Sequence, residues 1–149
     1  RLVFGQVQVG IINRSYDDAL LKDVTGPSFR ANLLWNVTPL TSLRLSGART
    51  VEDAASVRFA GNTRSEVSLA VDHELYRYII LSADTDFSRF SANGDGAKGS
   101  EFSFGGGARY LFARRWSVNG RLRYSQRTSN DPRLRFHATT ATISAQLAF

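Results

Sequence analysis

The chain has no cysteine, no methionine and only three prolines in 149 residues. Without thiols there is no disulfide framework, no cysteine-ligated zinc and no thiol catalysis. No apolar run approaches the roughly 18 residues that a membrane-spanning helix needs, so a helical membrane protein is excluded. A spanning strand is not, because its half-polar sequence averages out in hydropathy. An excess of one charge sign is also weakly informative here. The net charge of +6 comes from 19 basic and 13 acidic residues, but the basic residues are scattered among apolar ones and form no Lys/Arg block of the kind a nucleic-acid surface uses. A chain that opens on Arg1 rather than on an initiating methionine is expected to be processed or trimmed.

What is present is alternation with a period of two, end to end. Residues 1–16 place Val3, Val7, Val9 and Ile11 against Gln6 and Gln8. The same pattern occupies 27–37, 42–51, 64–73, 78–89, 100–112 and 116–127, and closes in 140–149 with Ala141, Ile143, Ala145, Leu147 and Phe149 against Thr140, Thr142, Ser144 and Gln146. Eight strands are predicted. Between them, "DDALLKDVTG", "EDAASVRFAGN", "SANGDGAKG" and "TSNDPRLRF" alternate with the short "TPLT", "ELYR" and "ARR". Long loops therefore fall at one end and tight turns, with both termini, at the other. Outer-membrane barrels sort their connections this way, whereas soluble sandwiches have no reason to.

Aromatic placement points the same way. Trp35, Phe112, Trp116 and Phe149 lie beside the short-turn end, and Tyr16, Phe29, Phe87, Phe102 and Tyr124 nearer the long loops. Two belts at headgroup level are the expectation, the alternative being core aromatics of a soluble β-sandwich. The predicted fold is all-β: an antiparallel up-and-down transmembrane β-barrel with its apolar parity towards lipid. Only a sheet closed on itself satisfies every backbone group in hydrocarbon. The polar parity carries Arg30, Arg44, Arg109, Arg121 and Arg123 together with Glu66, Asp72, Asp84, Asp86 and Glu101. These ten are the candidate lumen residues. A narrow barrel must pair them, and a wide one can leave them hydrated.

Several stretches are shared with a known family. "GPSFRANLLWNVTPLTSLRLSGARTVED", "VSLAVDHELYRYIILSA", "GARYLFARRWSVNGRLRYSQRTSN" and the terminal strand resemble the putative beta-barrel porin 2 family, most specifically in the Trp35-to-Thr41 hairpin and the Val71-to-Leu75 turn. The resemblance implies a Gram-negative outer-membrane barrel, often associated with exopolysaccharide or capsule synthesis and export, with no catalytic residues and no cofactor. It also implies that Ile143, Leu147 and the terminal Phe149 form the signal read by the barrel assembly machinery, with Leu147 where an aromatic is often found. Family members have more than eight strands. A carboxyl-terminal portion of a larger barrel and a complete, plugged eight-strand barrel serving a structural or adhesive role both remain open.

Other chemistry is expected to be absent. "GDGAKG" (94–99) matches G-x-G-x-x-G, but alternating residues follow it, so it is not the start of a helix that could cradle phosphate. His73 and His137 lie near opposite ends of their strands and suit rim or structural roles. Asp84 and Asp86 share a strand face, as a cation site would require, or else answer the arginines. Arg49 and Arg89 fall on the lipid parity near the long-loop end, where they could meet lipopolysaccharide phosphates or simply be solvated.

Overall fold

The computed structural model describes residues 2–15, 24–52, 62–92 and 98–147. It contains eight strands: β1 (Leu2–Arg14), β2 (Val24–Thr38), β3 (Thr41–Glu52), β4 (Asn62–Tyr76), β5 (Ile79–Ala92), β6 (Lys98–Ala113), β7 (Trp116–Ser129) and β8 (Phe136–Leu147). They form one antiparallel sheet in sequence order. Each strand pairs only with its chain neighbours, so β1 and β8 are free edges and the sheet is not closed between them. Tyr16 and Phe149 lie outside the described residues.

Three hairpins turn on two residues each, Pro39–Leu40, Arg77–Tyr78 and Arg114–Arg115. All three share one device. The register shifts by a residue just before the turn, between Asn36 and Thr38, Glu74 and Tyr76, and Leu111 and Ala113, as a bulge does when it tightens strand twist into a corner. Expected and observed boundaries differ in two places. The second turn sits at Arg77–Tyr78, and Glu74–Tyr76 continue β4. Strands also run further towards the long connections than the alternation indicated, β2 from Val24 and β8 from Phe136. Those extensions are rich in Thr, Gly, Ser and His, so the hydrogen-bond ladder persists after the hydrophobic signal has stopped. One long connection contains a 3₁₀ turn, Pro132–Leu134, capped by Asp131 Oδ1 accepting from Arg133 N at 2.9 Å.

Residues directly opposite in an antiparallel pair share a face. The register assigns Val7, Ala31, Gly47, Val67, Phe87 and Phe102 to one row of one face. The adjacent row of the other face holds Gln6, Asn32, Ser46, Ser68, Asp86 and Ser103. Burial is inverted relative to a water-soluble domain. The buried polar residues are serines of the second face, Ser88, Ser103 and Ser129, at 4–8% exposure. On the first face of strands paired on both sides, Val67, Phe104 and Leu122 are 49%, 53% and 62% exposed, and no large side chain among the described residues is fully buried. An apolar surface of this extent needs a covering.

Candidate functional site

All ten charged residues expected on the polar parity lie on one face of the sheet. Neighbouring rows of that face read Asn36, Ser42, Asp72, Ser82, Gly107, Arg121 and Leu34, Arg44, Ala70, Asp84, Gly105, Arg123. The charges join across rows. Arg44 Nη2 donates to Asp72 Oδ2 at 2.5 Å between adjacent strands. Arg121 donates to Asp84 Oδ1. Arg123 donates through Nη1 to Asp84 Oδ2 at 2.7 Å and through Nη2 to Asp86 Oδ2 at 2.5 Å and Ser103 Oγ at 2.6 Å. The paired-carboxylate motif therefore receives guanidinium groups on both oxygens of Asp84.

Those last contacts skip a strand. Asp84 and Asp86 are on β5 and the arginines on β7, two strand spacings or roughly 9.5 Å apart. The intervening β6 presents Gly105 and Gly107. A Cβ on Gly107 would sit 2.6 Å from Gly120 O, and one on Gly105 would lie 3.1 Å from Leu122 O, 3.4 Å from Asp84 Oδ1 and 3.5 Å from Arg123 Cγ. The bare backbone at these positions lets β6 and β7 approach closely and leaves the long side chains to lie across it. These glycines were read in the sequence only as part of an alternating strand. Their role was accessible as two glycines on the parity that carries acids one strand before and arginines one strand after.

Two further arginines complete the set: Arg127 donates to Glu101 Oε2 at 2.7 and 3.1 Å, and Arg64 Nε lies 3.3 Å from Glu66 Oε2. Neither was among the sequence candidates, although Arg127 continues the Arg121–Arg123 parity and Arg64 that of Glu66. Among the described residues, Arg30 and Arg109 make no ion pair or hydrogen bond through their side chains. Arg109 stands at the edge of a concavity of about 570 Å³ lined by Arg44, Asp72, Asp84, Asp86, Arg121 and Arg123.

The opposite face carries the rings. Tyr76, Tyr78, Tyr110, Phe112 and Trp116 form a chain of neighbours with centroids 5.7–6.3 Å apart beside the short turns. Phe102, Phe104 and Tyr124 form a second group, at 5.5–6.1 Å, nearer the long connections. Phe87 lies opposite Phe102, while Phe29 pairs with Arg49 and Trp35 with Leu43. Between the two groups lie Gly106, Ala108, Gly120 and Leu122. The sequence reading omitted Tyr76 and Tyr78, because it placed them in and just after the second turn.

The histidines are separated. His73 Nδ1 is 2.9 Å from Thr41 Oγ1 near the short turns, and His137 lies opposite Gln126. Among the described residues, no three of His, Cys, Asp and Glu are grouped to hold a metal ion. Strand β6 begins inside "GDGAKG", at Lys98, so the last two residues of that stretch are strand residues.

The chain matches no curated protein and no solved structure at a significant level. A family match covers all of it, residues 1–149, under the description Putative beta-barrel porin 2. With eight up-and-down strands, charge and hydroxyls on the sheltered face, and aliphatic and aromatic side chains on the exposed one, the chain belongs to that porin family.

Proposed function

We propose that this chain is an outer-membrane porin segment whose polar face lines an aqueous passage and whose apolar face meets lipid. The single observation behind this is the inverted burial on strands paired on both sides, with Ser88 and Ser103 sheltered at 5% and 4% exposure and Val67, Phe104 and Leu122 open at 49–62%. The dimensions agree. From Ile79 to Phe87 the apolar face of β5 spans nine residues, roughly 27 Å along the strand, and a tilt of about 40° brings that to about 21 Å, close to the apolar band of such barrels. The short turns and both termini face the periplasm, and the long connections face outward.

The solute is a polysaccharide, with the passage acting as a conduit or export component for exopolysaccharide or capsule. Ser42, Ser46, Ser68, Asn32 and Asn119 give the polar face the short hydroxyl and amide groups that exchange hydrogen bonds with sugar hydroxyls. The eight strands are an arc of a wider cylinder, because β1 and β8 each leave a long edge unpaired, and hydrocarbon does not tolerate unpaired edges. Ile143, Leu147 and Phe149 are the strand presented to the assembly machinery, which pairs along that edge. A second reading, a plugged structural or adhesion barrel, draws support from the Arg121–Asp84–Arg123–Asp86 ladder, which neutralises most of the charge at the centre of this face.

Conductance across a planar bilayer decides between them. The conduit predicts discrete open-channel currents whose anion preference falls when the unpaired Arg109 and Arg30 are changed to Glu. A correctly inserted protein that passes no current would overturn it in favour of the plugged barrel.

A further inference from the structure

The lipid-facing side of the sheet carries charge in one place. Among the strand residues whose side chains are described, every carboxylate (Glu66, Asp72, Glu74, Asp84, Asp86 and Glu101) is on the polar face. The apolar face has none, yet it carries three cations close together at the long-connection end. One row of that face reads Arg49, Ser65, Arg89, Ser100, Thr128. The next brings Thr63, Ser91 and Lys98 into line. Arg49 and Arg89 are two strands apart, roughly 9.5 Å, and Lys98 is the diagonal neighbour of Arg89, about 7–8 Å away.

These residues are not scattered over a flat surface. Arg49, Arg89, Lys98, Ser65, Ser91 and Thr128 are among those lining a concavity of about 570 Å³. Arg49 Nε is buried and has no hydrogen-bond partner. Arg89 is steadied over the Phe87 ring at 5.8 Å, and Ser100 Oγ and Thr128 Oγ1 are 3.0 Å apart. A buried guanidinium N–H with no acceptor, beside two more cations with no carboxylate on their face, is a site short of an anion with several oxygens. It lies just outside the last apolar row, marked by Phe87 and Phe102.

We infer that Arg49, Arg89 and Lys98 form a binding site for the phosphate groups of lipopolysaccharide in the outer leaflet. The inference rests on the membrane orientation proposed above. That orientation puts this row at the level of the glycolipid phosphates, where guanidinium and ammonium groups bind phosphate oxygens and the neighbouring hydroxyls donate to them. Sequence parity indicated Arg49 and Arg89. Lys98, the hydroxyl lining and the unpartnered Nε come from the fold.

The test uses the full-length protein that carries this chain, refolded into phosphatidylcholine vesicles and checked for insertion by heat-modifiable migration and protease protection before any ligand is added. Binding of bis-phosphorylated lipid A is then compared with that of its dephosphorylated form. The R49Q/R89Q/K98Q variant and the milder single K98Q variant are measured beside the unchanged chain, with R77Q/R115Q at the opposite end as the control. The expected result is a preference for the phosphorylated lipid that falls roughly tenfold to a hundredfold in the triple variant, falls less in K98Q, and is unchanged in the control. Inorganic phosphate at millimolar concentration does not displace the lipid. Equal binding of phosphorylated and dephosphorylated lipid, or equal binding by the triple variant, in a chain that has inserted, overturns the site while leaving the barrel reading intact. Failure of the unchanged full-length protein to insert overturns both.

Discussion

Arg123 on β7 reaches over β6 to place its Nη2 2.5 Å from Asp86 Oδ2 on β5. Because the two residues share no strand pairing, this contact braces three strands at once, and Gly105 on the intervening strand puts no side chain in its path. Several expected outcomes follow from it and from the division of the faces.

Changing Asp84 to Ala removes the acceptor of Arg121 and one of the two carboxylates that Arg123 holds. With the Arg121 guanidinium left without its acceptor on a partly sheltered face, we expect a loss of about 1–3 kcal/mol in folding stability, measured by urea titration in lipid vesicles. Asp84→Asn, which keeps an acceptor oxygen, should lose less. Equal losses would mean that the carboxylate charge, rather than an acceptor oxygen or the shape of the side chain, carries the contribution at this position.

Gly107→Val puts a branched side chain where even a Cβ would lie 2.6 Å from Gly120 O. Overpacking of this kind costs about 1–3 kcal/mol. The same substitution at Gly120, whose Cβ meets nothing within 4 Å, should be tolerated. The two variants, compared in one urea series, test the close backbone approach at Gly107 directly.

Leu45 and Ser46 are chain neighbours on opposite faces. If the apolar face meets hydrocarbon, Leu45→Arg costs about 2–4 kcal/mol near mid-bilayer, and Ser46→Arg costs little. Stability in vesicles reads the difference. Were Ser46→Arg the more damaging, the faces would be assigned the wrong way round.

Removing Phe149, or changing Ile143 to Asn, should slow insertion by reconstituted assembly machinery several-fold. Unassisted refolding of the Phe149 deletion in detergent should barely change, since one end residue adds little to the ladder. An equal effect in both assays would make the residue a matter of stability rather than recognition.

Much of this protein was legible before any fold was considered, for reasons particular to strands. Side chains alternate with a period of two, so parity alone sorted Arg30, Arg44, Asp84 and Arg121 onto one face and Val7, Leu33 and Ile143 onto the other. Alternating connection lengths likewise arranged the strands up and down. Strand ends were less legible, as at Val24 and Phe136, because a backbone ladder can continue through Thr, Gly and Ser without a hydrophobic signature.

Partnership belongs to the tertiary level. Parity says which charges share a face, but register decides which rows adjoin and which side chains can span a strand. Register alone brings Arg123 to Asp86 across Gly105, gives Glu101 to Arg127, leaves Arg109 without a partner, and gathers Arg49, Arg89 and Lys98 from three strands into one concavity. The physical reason is range. Alternation is a property of consecutive residues, whereas an ion pair between positions 37 apart, as for Arg123 and Asp86, depends on a lateral alignment that the pattern within a single strand does not encode.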